Sequence, residues 1–102
     1  MLRTSLFCLT LSGLLLHFLW ANPMPTKFVS KYCYKCHGDE KQKADRRFDV
    51  LGTSIVDFRQ QESWQEILDQ LNLGDMPPED EVQPTEAEKL AVIDTITHGI
   101  SE

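Results

Sequence analysis

Residues 33–39 read CYKCHGD, two cysteines two residues apart with a histidine directly behind them. A CxxC pair alone serves as a redox disulfide, as half of a zinc site or as an attachment point. The histidine narrows the choice. On a helix, Cys33, Cys36 and His37 stand at i, i+3 and i+4, so two thiols and an imidazole project from one face and can meet one flat object. Haem fits: the thiols add across its two vinyl groups as thioethers, and His37 offers a nitrogen to the iron. CxxCH is the signature of c-type haem attachment.

Two other readings are weaker. A thioredoxin-like pair expects a βαβ context, and no strand pattern precedes the motif. A tetrahedral zinc site needs four ligands. Cys33, Cys36, His37 and His98 supply four on paper, but the adjacent Cys36 and His37 would have to converge on one ion.

The chain around the motif is short, 102 residues with three cysteines, and a domain of that size has a marginal apolar core. Its start is MLRTS, then the apolar run LFCLTLSGLLLHFLW, then ANPMP. This is the layout of a secretory signal peptide over residues 1–21, with cleavage after Ala21. An uncleaved anchor is the rival, although a run of this length is short for a bilayer, which takes about 20 residues. Cleavage leaves residues 22–102 as one domain whose only cysteines are Cys33 and Cys36. An exported, periplasmic or extracytoplasmic chain meets an oxidising compartment where free thiols do not persist, so those sulfurs need an occupant.

Helical periodicity recurs three times. Phe28, Val29, Tyr32, Cys33 and Cys36 form an apolar face, with Lys27, Lys31 and Lys35 on another, predicting a helix that carries the motif and stops near Gly38. Residues 39–61 lack sustained periodicity and read as a long loop with Phe48, Val50, Leu51, Ile55, Val56 and Phe58 folded inward. Ser63 with Glu66 forms a capping box that opens a second helix, whose stripe is Trp64, Ile67, Leu68 and Leu71 and whose stop is Gly74. The prolines of DMPPEDEVQP impose a stiff irregular path. Thr85 with Glu88 opens a third helix, with Leu90, Ile93, Ile96 and Ile100 on its apolar side. The expected class is all-α.

An iron bound by His37 has room for a second axial ligand. Met24 lies among prolines near the N-terminus, where chains are usually mobile, and His98 reads as a surface histidine at a helix end. Met76 stands in Asp75-Met76-Pro77-Pro78, on a restricted loop directly after a helix, and is the expected thioether ligand opposite His37. Its rival role is that of a core methionine filling a gap.

CYKCHGDEKQKA, then Phe48-Asp49 and Leu51, then WQEILDQLNLGDMPPED, resembles a class I cytochrome c, and more closely the small cytochrome c domains of planctomycete-type secreted proteins. The resemblance spans roughly residues 27–100. It implies covalent haem c, a first and third helix that cross, and a long loop wrapped round the haem. It places Trp64 near the haem, packing on the ring edge or donating to a propionate, with plain core packing as the simpler role. The implied activity is one-electron transfer with His/Met ligation rather than enzymatic catalysis, either alone or as a redox module serving a separate enzyme. The alternative is a haem-based sensor with a labile or absent distal ligand. Expected partners are redox proteins, with nucleic acid excluded and a membrane involved only if the leader is uncleaved.

Charge is unevenly spread. The formal net charge is -6, yet residues 27–47 hold seven basic and three acidic side chains, and residues 48–102 hold two and thirteen. A polarised molecule is expected, with a lysine stripe beside the motif and Asp75, Glu79, Asp80 and Glu81 around Met76.

Overall fold

Three helices and a single 3-10 turn make up the computed structural model, which describes residues 23–101. The signal peptide expected over residues 1–21 lies outside the described residues. Helix α1 spans Thr26–Tyr32, the 3-10 turn Lys43–Asp45, α2 Phe58–Leu73 and α3 Glu86–Ser101. Among the described residues there is no strand, only an isolated bridge between His37 and Gln42. The all-α expectation holds.

The third helix begins where its capping box places it. The Thr85 backbone N–H donates to Glu88 Oε1 at 3.2 Å, and the Glu88 N–H donates to Thr85 Oγ1 at 3.1 Å. Its buried residues are Val92 and Ile96, with Ile93 and Ile100 packed against the core, whereas Leu90 is 58% exposed. Leu90 lies six positions before Ile96, about 120° round the helix axis, and so falls off the core face.

The second helix starts five residues before the expected Ser63. Asp57 is its N-cap, with a carboxylate that accepts from the Gln60 N–H at 2.9 Å. Ser63 is therefore interior to the helix, and residues 58–61 belong to it rather than to the loop. The predicted stripe Trp64, Ile67, Leu68 and Leu71 is buried throughout. Gly74 ends the helix in the left-handed conformation at φ 74°, which costs a glycine little. Phe48 and Leu51 do fold inward from the loop, and Ile55 packs on the core, but Val50, Val56 and Phe58 are exposed.

The helices share one apolar core in which Trp64, Ile96 and Val29 are the largest fully buried side chains. Burial of each stabilises the fold by about 1.5–3 kcal/mol. Helix α1 runs in the opposite sense to α3. At one end the Tyr32 hydroxyl donates to Glu88 Oε2 at 2.8 Å. At the other, Met24 packs against Gly99 so closely that any side chain at position 99 would overlap its sulfur.

Met24 itself departs from expectation. It is 4% exposed, and its backbone N–H donates to Thr53 O at 2.9 Å. Its position next to a glycine 75 residues away in the sequence ties it down, despite its place near the chain start.

Candidate functional site

The motif leaves the helix before its first cysteine. Helix α1 ends at Tyr32, and both Cys33 and Tyr34 direct their backbone N–H to Val29 O, at 2.8 and 3.2 Å. Two donors on one carbonyl break the i→i−4 register. A new turn then forms, with the N–H of Cys36 and of His37 both donating to Cys33 O, at 3.2 and 2.9 Å. The helix expected to run to Gly38 is thus a short helix followed by a separate turn, and Lys35 is not on the helix. The turn still spaces Cys33 and His37 by about one helical revolution.

After His37 the chain must double back. A Cβ on Gly38 would sit 2.5 Å from Tyr34 O, so a glycine is required for the close passage. The Gly38 N–H donates to Lys41 O at 2.7 Å, the Lys43 N–H to Cys36 O at 2.8 Å, and the Phe48 N–H to His37 O at 2.8 Å. These bonds bring Phe48 against the histidine, with ring centroids 5.1 Å apart. Ala44 takes a left-handed backbone at φ 55° on this return path, where a non-glycine residue costs about 1–2 kcal/mol.

The result is a cavity of about 330 Å³ that both thiols, His37 and Met76 line together. Phe48, Ile67, Leu71 and Pro77 give it apolar walls. Its rim is charged: Arg46 pairs with Glu66 at 2.7 Å, and Lys35 with Glu81 at 2.8 Å, all four lining the opening. Residues that lie 39 positions apart in the sequence, His37 and Met76, therefore face one space.

The donor set fits an apolar planar group carrying a metal. Cys33 and Cys36 are both free. His37 lines the cavity and its Nδ1 is buried without a hydrogen-bond partner, which leaves Nε2 as the ring nitrogen available to a metal. Met76, 38% exposed, supplies a thioether from the loop side, and the walls would shield such a group from water.

Trp64 is fully buried in the core, and its Nε1 has no partner. It is not among the residues lining the cavity, so core packing is the role its position displays. His98 is exposed, with Nδ1 2.8 Å from Asp94 O, and neither it nor Met24 lines the cavity.

The charge pattern is cross-linked rather than segregated. Lys35 meets Glu81, and Lys31 lies 4.0 Å from Glu88. Both carboxylates come from the acidic half, and both lysines remain well exposed. The residue that sequence reasoning passed over is Gln83, whose amide reaches back to the proline-rich loop.

Burial pushes the Cys33 thiol up to about 12 from an ordinary 9.0, with the neighbouring Cys36 as a second cause. A thiol so held is protonated near neutrality and a poor nucleophile. In a chain without haem, the fold favours the protonated form. That stability is fully present below about pH 9 and is lost as pH rises toward 12, at about 1.4 kcal/mol per unit. Urea midpoints of the haem-free chain are therefore expected to fall between about pH 8 and about pH 10.5 by more than those of its Cys33→Ala variant. Equal falls would show that Cys33 does not titrate in this way.

Residues 33–80 match the family model described as planctomycete cytochrome C. No curated protein and no solved structure matches the chain. Among the described residues, no helix is long and apolar enough to cross a membrane.

Proposed function

We propose that this chain, whose residues 33–80 match the planctomycete cytochrome C family model, is an exported one-electron carrier in which Cys33 and Cys36 would hold a haem c covalently and His37 and Met76 would ligate its iron. The observation that carries the reading is the convergence of both cysteines, His37 and Met76 on one apolar cavity. Bound haem supplies the ferrous/ferric couple.

The residues divide the work. Cys33 and Cys36 would hold the group covalently, each S–H adding across a vinyl double bond so that sulfur takes one carbon and hydrogen the other, with no oxidant consumed. His37 presents Nε2, and its ring is steadied by Phe48. Met76 would offer its thioether from the loop side of the cavity, and a histidine with a methionine on the iron would leave no position for substrate and would raise the reduction potential. The apolar walls exclude water and favour the less charged form. Redox proteins are the partners of such a carrier.

The exposure of Met76 favours one second reading, a haem-based sensor in which the thioether leaves and a small molecule enters. A visible spectrum and redox titration of the holoprotein separate the two. The carrier is expected to titrate reversibly as a single one-electron couple and, when ferric, to show a weak thioether charge-transfer band on the order of 700 nm. A ferric protein without that band, or a ferrous one that takes up carbon monoxide freely, would overturn the carrier reading.

A further inference from the structure

We propose that Gln83 is a positioning residue for the Met76 sulfur, bracing the proline-rich loop in the shape that presents Met76 to the cavity. The inference rests on the His37/Met76 ligand reading above. Pro77 and Pro78 have no backbone N–H, so the loop lacks two of the donors with which a turn ordinarily satisfies its own carbonyls. Gln83 makes up the shortfall. Its Nε2 donates to Pro77 O at 3.1 Å, to Pro78 O at 2.7 Å and to Glu81 O at 3.2 Å.

All three partners are carbonyl oxygens, so only the NH₂ end of the amide can face them, and the orientation of the side chain is set by chemistry. The Glu81 N–H also donates to Pro78 O, at 2.9 Å, closing the turn over residues 78–81 to which Gln83 reaches back. Gln83 does not line the cavity and acts through the loop. The Lys35–Glu81 pair ties the same loop to the turn between the two cysteines. Gln83 is exposed like that lysine, but it meets three carbonyls within the loop where the lysine meets one carboxylate, which makes Gln83 the more extensive brace.

The test uses holoprotein carrying Gln83→Ala, Gln83→Glu or Gln83→Lys, with Met76→Ala as the limit of complete ligand loss. The readouts are the ferric thioether band and carbon monoxide affinity of the ferrous form, with far-ultraviolet circular dichroism reporting the helices. Gln83→Ala is expected to weaken the band and raise carbon monoxide affinity about tenfold, the scale of one or two lost hydrogen bonds. Gln83→Glu keeps the size but is acceptor-only when ionised and faces three carbonyls, so its effect is expected to be larger still. Gln83→Lys restores donors and is expected to return both readouts toward wild type. A side chain that merely fills space would make glutamate the mildest substitution. Alanine and glutamate variants with a wild-type band and carbon monoxide affinity within about twofold of wild type, below the effect of a single hydrogen bond, would overturn the inference. A wild-type protein that itself lacks the band and binds carbon monoxide as Met76→Ala does would overturn the ligand reading, and this inference with it.

Discussion

Acid-denatured holoprotein is expected to keep its haem on the polypeptide, and replacing both Cys33 and Cys36 by alanine is expected to release all of it into acidic organic solvent. Coordination by His37 and Met76 depends on folded geometry and on an unprotonated imidazole, both lost in acid, whereas a thioether is a covalent bond that survives unfolding. Each single substitution should leave one thioether and so retain haem, with an altered visible spectrum from the unreacted vinyl group. The effect on the fold should also be large. The cavity between α1, α2 and the Met76 loop has apolar walls, and a chain this short has little other core to draw on. The double variant is therefore expected to lose much of its resistance to denaturant along with its haem. Haem extracted intact from the wild-type protein by acidic solvent would show that neither sulfur is attached.

Much of this site was legible in the sequence because its key elements are local. CYKCH is contiguous, and the box of Thr85 with Glu88 closes within one turn. The start of α2 was less legible because two caps compete. Asp57 with Gln60 offers the N-terminus what Ser63 offers six residues later, and a helix extends to the earlier cap once nothing downstream interrupts it. The motif's exit from α1 was hidden for another reason: the side-chain pattern runs on past Tyr32, while the backbone register breaks where Cys33 and Tyr34 share the Val29 carbonyl. Long-range partners left no trace at all. Nothing near Met24 announces that Gly99 will seat it, and Gln83 sits among acidic and proline residues whose pattern says only that the path is irregular. The charge blocks were correct as composition, yet the fold lays Lys35 against Glu81, and block sums do not anticipate such pairing.

Met76→Ala is expected to give the largest change in ligand binding of any single substitution. If the thioether occupies the iron in about 99% of wild-type molecules, an entering ligand competes for the remaining 1%, and its apparent affinity is lowered about 100-fold. Alanine has no donor atom and removes that competition, so ferrous Met76→Ala should bind carbon monoxide about 100-fold more tightly than wild type and its ferric form should lack the thioether band. Met76 is 38% exposed and lies outside the packed core, so the substitution should leave the three helices and the covalent attachment at Cys33 and Cys36 unchanged. This separates ligand loss from unfolding. The rival ligands are distinguishable by position: Met24 is buried beside Gly99 and His98 is bonded to Asp94 O, and neither lines the cavity. Equal carbon monoxide affinity in wild type and Met76→Ala would remove Met76 from the iron, and the reading of the chain would then pass from electron carrier to haem-based sensor.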